Sequence, residues 1–276
     1  MSSVSSADRT ALWLPLLKDL TAASPGWRVW KNAESAFTGS GDIDAAADDG
    51  DWPLVEASFH AWAEAHGVGP VIVCHHIAGG LNLVAVARDL PTFLEMGVKA
   101  RRIWRGATLF VHQDLQPMAM LDDRGFRRLR PGAEGLFKLL LNGTRRDGGP
   151  NEAALRDKGV REQLRADPEG VRQAARLLGR AQGAMLVGAR RAAEGSWDRR
   201  AMLAVQGWML LCALRRPDVL LARLRFRLRG RQTCPVIEAI LRGGRHIPGD
   251  PDAWLAEVAR NHTILDGDRR AADPAA

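Results

Sequence analysis

Six consecutive residues, Gly39, Ser40, Gly41, Asp42, Ile43 and Asp44, are the part of this chain best suited to chemistry. In an extended strand, residues two apart project from one face. Asp42 and Asp44 would then lie side by side, where two bare carboxylates repel and one tends to keep its proton. A divalent cation removes that repulsion, and Mg²⁺ accepts carboxylate oxygens together with phosphate oxygens. The Gly39-Ser40-Gly41 turn can bring backbone N–H groups against a phosphate. The types and spacing therefore describe a metal–nucleotide site. They also suit a plain surface turn, because Gly, Ser and Asp favour turns for their own local reasons.

Such a site needs strands on either side of the turn. Residues 27–32 alternate as a strand, residues 33–40 read as a loop, and residues 42–47 read as the next strand. Ahead of them, Leu12, Leu16, Leu17 and Leu20 are spaced as one helix face over residues 9–23. After them, Asp51 is placed as an N-cap, with Pro53 in the first turn of a helix to about His66. Residues 71–75, 81–86 and 92–99 read as strands, with Gly79-Gly80 as a hairpin turn between the first two. Residues 107–111 read as a further strand, before a connection rich in Pro and Asp.

From Pro131 the pattern becomes helical, over residues 133–141, 151–166, 168–194, 198–214, 217–229, 235–241 and 251–261. Asp167-Pro168 and Asp250-Pro251 are cap-plus-proline starts. The expected fold is α+β: a small mixed-sheet domain over residues 1–130, a helical domain over 131–265, and a disordered tail over 266–276.

Composition narrows the setting. The chain has 276 residues and a net charge of +7, unevenly placed. Residues 1–130 hold 13 Lys and Arg against 15 Asp and Glu; the rest hold 26 against 17. The basic half fits a polyanionic partner such as RNA, or equally a set of arginines solubilising helix surfaces. Five alternating arginines in residues 222–231 admit both readings. No run of 18 apolar residues is present, so no membrane span is expected. Three scattered cysteines, Cys74, Cys212 and Cys234, read as reduced thiols of a cytoplasmic protein.

The Gly39-Ser40 and Asp42-Ile43-Asp44 pattern resembles the nucleotidyltransferase superfamily that includes DNA polymerase β. The compact form, with Lys31-Asn32 ahead of it and Phe93–Lys99 and Arg105-Gly106 after it, is similar to small bacterial nucleotidyltransferase-like proteins. The resemblance covers about residues 25–130 and implies a nucleotidyltransferase-like N-terminal domain with Mg²⁺ as cofactor and an NTP, ATP first, as substrate. Asp42 and Asp44 would hold the metals, Gly39, Ser40, Gly41 and Lys31 the phosphates, and a nucleoside monophosphate would pass to a hydroxyl on a small molecule, protein or RNA.

The family's third carboxylate is expected at about Gly97, where this chain has none. Glu95 lies two residues earlier on the same strand face and is the candidate third metal ligand and proton acceptor; the other reading is that the third position is lost. Asp89 reads as a turn residue before Pro91. The alternatives to an enzyme are therefore a degraded relative that only binds nucleotide, and an RNA-binding or adaptor protein that works through its basic helices.

Overall fold

The computed structural model describes residues 9–39, 41–77, 79–87, 92–157, 159–219, 221, 253, 256 and 263–265. The chain opens with helix α1 (Thr10–Ala23), strand β1 (Arg28–Lys31), helix α2 (Ala33–Phe37), strand β2 (Ile43–Ala46) and helix α3 (Trp52–Ala65). Strands β3 (Val71–Ile77), β4 (Gly80–Ala87), β5 (Thr92–Lys99), β6 (Arg101–Trp104), β7 (Ala107–Val111), β8 (Ala119–Leu121) and β9 (Arg127–Leu129) follow. The helices α4 (Pro131–Lys138), α5 (Glu152–Asp157), α6 (Val160–Ala166), α7 (Pro168–Arg176), α8 (Gln182–Ala193) and α9 (Arg199–Arg215) come next, then strand β10 (Thr263–Leu265).

Eight strands form one mixed sheet in the order β10-β3-β4-β5-β2-β1-β9-β8, and β6–β7 is a separate hairpin. That hairpin turns on Arg105 (φ 52°) and Gly106 (φ 89°), two left-handed residues in succession, which matches the twist of paired strands. At the centre, β2 runs parallel to β5, while β1 and β4 flank them antiparallel.

Each face of the sheet buries its own apolar layer. Ile43 and Ala45 of β2 and Met96 and Val98 of β5 pack with Trp13 and Leu17 of α1 and Val55 and Phe59 of α3. Trp30 and Ala46 face the other way, into a cluster with Phe110, Leu136 and Phe137 that continues through α6 to α9. Period-two alternation in the strands sends neighbouring residues to opposite layers. The expected boundary near Arg130 marks the change from strands to helices, yet one apolar cluster runs across it.

Several expectations change. Residues 33–40 hold the short helix α2, entered through Asn32 in the left-handed conformation (φ 69°). The stretches 151–166 and 168–194 each contain two helices, broken where Gly159 and Gly179 are left-handed. Asp51 occupies the N-cap position of α3, with Pro53 in the first turn as expected, but its side chain accepts a hydrogen bond from Ser24 and none from the helix, and Asp48 caps the 3₁₀ turn ahead of it. Asp167 does cap α7, accepting from the Gly170 N–H at 3.0 Å. The helices expected at 235–241 and over nearly all of 217–229 and 251–261, the arginine run at 222–231 and the tail at 266–276 lie outside the described residues.

Candidate functional site

The pairing register builds the site. Lys31 on β1 is opposite Asp44 on β2, Asp44 is opposite Gly97 on β5, and Gly97 is opposite Asn82 on β4. These positions form one row across four strands. Glu95 and Lys99 flank Gly97 on the same face of β5, two residues away on either side. A polar row inside an apolar sheet is costly unless every member is paired.

Here the members pair closely. Lys31 Nζ is 2.7 Å from Asp44 Oδ2, and Asn32 Nδ2 donates to the same oxygen at 2.8 Å. Asn82 reaches over the bare Gly97 backbone: its Nδ2 donates to Glu95 Oε1 at 3.1 Å, and its Oδ1 accepts from Lys99 Nζ at 2.8 Å. A side chain at Gly97 would begin 3.5 Å from both Asn82 Oδ1 and Lys99 Nζ. Asn32, Asp44, Asn82, Glu95 and Lys99 are all buried, while Lys31 and Arg102 are only partly covered and border the cluster.

Burial pushes the Lys99 ammonium down to about 8 from its ordinary 10.5; Asp44 and Glu95 oppose the shift, and Arg102 and Lys31 add to it. Arg102 is lowered as well, by burial, against the attraction of Asp44. Because the folded value for Lys99 lies below the unfolded one, the unfolded chain holds more protons between the two, and stability rises with pH across that window. The full cost is present below about 8. Relative to Lys99→Met, the wild type should gain about 2–3 kcal/mol between about pH 7 and about pH 10, measured by urea unfolding of both proteins. A difference that stays flat with pH would contradict this placement of Lys99.

The second support comes from the helical layer. Glu134 of α4 accepts from the backbone N–H of Asn32 at 3.0 Å, and its carboxylate pairs with Arg128 at 2.8 Å and Lys138 at 2.7 Å. Burial alone would raise the Glu134 carboxyl, but Lys138 and Arg128 overcome this and hold it below the ordinary range. Arg128 in turn contacts Asp122 and Glu34. The chain of contacts therefore runs from α4 through Asn32 to Asp44.

The residues expected at the site do not all meet. Asp44 and Glu95 share the polar face, and Lys31 sits on Asp44. Asp42 lies two residues earlier, just ahead of β2. Gly39 and Gly41 lie at the C-terminal end of α2, where their N–H groups donate to Ala36 O and Ser35 O, at 3.1 and 2.8 Å. Those two donors close the end of the helix. Ser40 lies outside the described residues. Among the described residues no group of three or more His, Cys, Asp or Glu is placed to hold a metal ion.

The residues that sequence reasoning missed are Asn32, Asn82 and Lys99. Two left a signal: Asn82 interrupts the apolar run Leu81–Val86, and Glu95, Gly97 and Lys99 alternate against Leu94, Met96 and Val98. Asn32 left only a left-handed tolerance common to Asn.

No protein-family model, curated protein or solved structure matches this chain. Among the described residues no helix is long and apolar enough to cross a membrane.

Proposed function

We propose that this chain is a nucleotidyltransferase-like domain that binds the phosphates of a nucleotide without transferring them. The observation that carries this reading is the grouping of Lys31, Lys99 and Arg102 around Asp44, on the strand pair where the superfamily would place its carboxylates. Lys31 and Arg102 border the cluster and supply the charges a phosphate would meet first. Arginine offers a planar fork suited to phosphate oxygens, and lysine a mobile point charge. Buried charges with displaced titration gather at functional sites more often than elsewhere. Gly97 supplies no carboxylate directly beside Asp44, where the superfamily would place its third acid, and this favours binding without transfer.

A second reading, a working transferase, is favoured by Glu95, which shares the face of Asp44 and is buried near it. The experiment separates the two. ATP labelled in the α-phosphate is given to the full chain with Mg²⁺, and both binding and covalent label on protein, RNA or small-molecule acceptors are measured. The expected result is saturable binding, weakened at least about tenfold in Lys31→Met, with no transferred label. Label on an acceptor, lost in Asp44→Asn, would establish the transferase instead. Absence of any nucleotide binding would remove both readings.

A further inference from the structure

The helical layer holds a groove of about 350 Å³, lined by α6, α7 and α8. That volume lies in the range of small-molecule sites. Leu186, Ala189, Arg190 and Ala193 line it from α8. Their spacing of three and four residues puts them on one face of that helix. Leu164 of α6 and Val171 of α7 line it as well. Leu164, Val171 and Ala189 are buried, and Leu186 and Ala193 are partly buried against the same apolar cluster. The two alanines keep side-chain bulk out of the α8 wall, so the floor is both apolar and open.

The rim is basic. Arg165, Arg172 and Arg190 line the groove, against Glu194 as the one acid. Arg172 lies 2.6 Å from Glu169, and Arg165 lies 3.8 Å from Glu162. Glu194 lies 3.6 Å from Arg191, which is not among the lining residues. The Arg190 guanidinium has no acidic partner among the described residues. An apolar floor favours burial of hydrocarbon, and a guanidinium fork fits the two oxygens of a carboxylate.

We infer that this groove binds a small molecule with an alkyl chain and a terminal carboxylate. The chain lies on Leu164, Val171 and Ala189, and the carboxylate meets Arg190. None of the lining residues belongs to the row around Asp44, so the inference does not rest on the nucleotide reading.

Decanoate is the probe, titrated into the full chain and followed by calorimetry. The expected result is saturable binding of one decanoate per chain. Hexanoate should bind at least about tenfold more weakly, because each buried methylene is worth roughly fourfold. Arg190→Glu should weaken decanoate at least about fivefold, since it puts a like charge beside the carboxylate, and added salt should shrink that difference. Ala193→Trp should weaken it at least about tenfold by filling the groove. Circular dichroism checks folding, and Arg190→Glu, at an exposed position, carries the test if Ala193→Trp does not fold. No saturable binding by the wild type, or unchanged binding in either folded variant, would overturn the inference. A dimer seen in sedimentation and dissociated by Ala193→Trp would also overturn it, because a second copy would then fill the groove.

Discussion

Replacing Glu134 by leucine is expected to destabilise the fold by about 3–5 kcal/mol, the usual cost of removing one partner from a buried charge set. The carboxylate is almost fully enclosed and serves three donors: Arg128, Lys138 and the backbone N–H of Asn32. Arg128 keeps Asp122 and Glu34 when Glu134 is lost, so the damage centres on the buried N–H of Asn32. Asn32 holds a left-handed backbone while its side chain orients Asp44, and freeing its N–H should loosen that geometry. Glu134→Gln retains an acceptor and should cost less than half as much. Urea unfolding of the three proteins checks the order. Equal stability for wild type and Glu134→Leu would mean that α4 does not anchor the site.

Gly132→Ala is the second large effect, with an expected loss of about 3 kcal/mol. A methyl group at Gly132 would collide with the Asp167 carbonyl oxygen and come to 2.8 Å from the Val171 nitrogen. Both obstacles are backbone of the segment that starts α7, so no side chain can swing away. A Cβ added at Gly170 would meet α4 from the other side, 2.9 Å from the Ala133 nitrogen. The two helices thus touch at their N-terminal ends, where the Asp167 carboxylate accepts from Gly132, Gly170 and Arg130. Gly207→Ala is the matched control, because nothing lies within 4 Å of the added carbon in the middle of α9. That change should stabilise the protein by about 0.5–1 kcal/mol. Thermal unfolding of both variants should move in opposite directions; a shared direction would contradict the packing of α4 on α7.

Much of the fold could be read from local pattern. The apolar spacing of Leu12, Leu16, Leu17 and Leu20, the start at Asp167-Pro168 and the hairpin at Gly79 all act within a few residues, and the structure agrees with each. Helices that break at Gly159 and Gly179 were not legible, because a glycine inside a helical run becomes a stop only when tertiary packing selects its left-handed state.

The site was legible by strand but not by row. Alternation places Asp44 on one face of β2, and Glu95, Gly97 and Lys99 on one face of β5. Nothing local says that Asp44 lines up with Gly97, since that depends on the register of two strands some fifty residues apart in sequence. Asn82 and Asn32 enter for the same reason: each is defined by a neighbour brought in by the sheet. Gly39 and Gly41 could not be placed from sequence because glycine is also good helix-ending chemistry, and their N–H groups bond to carbonyls at the end of α2.

Asp44 lies 2.7 Å from Lys31, and the direction of its effect on ATP binding separates a carboxylate that balances protein cations from one that holds a metal. The ATP dissociation constants of the wild type and Asp44→Asn are measured side by side with Mg²⁺ present. If Lys31 and Lys99 are the charges that Asp44 balances, removing its charge frees them for phosphate, and the variant should bind ATP as tightly as the wild type or up to about tenfold more tightly. If Asp44 holds a metal that carries the nucleotide, the variant should bind at least about tenfold more weakly, and that result would contradict the account.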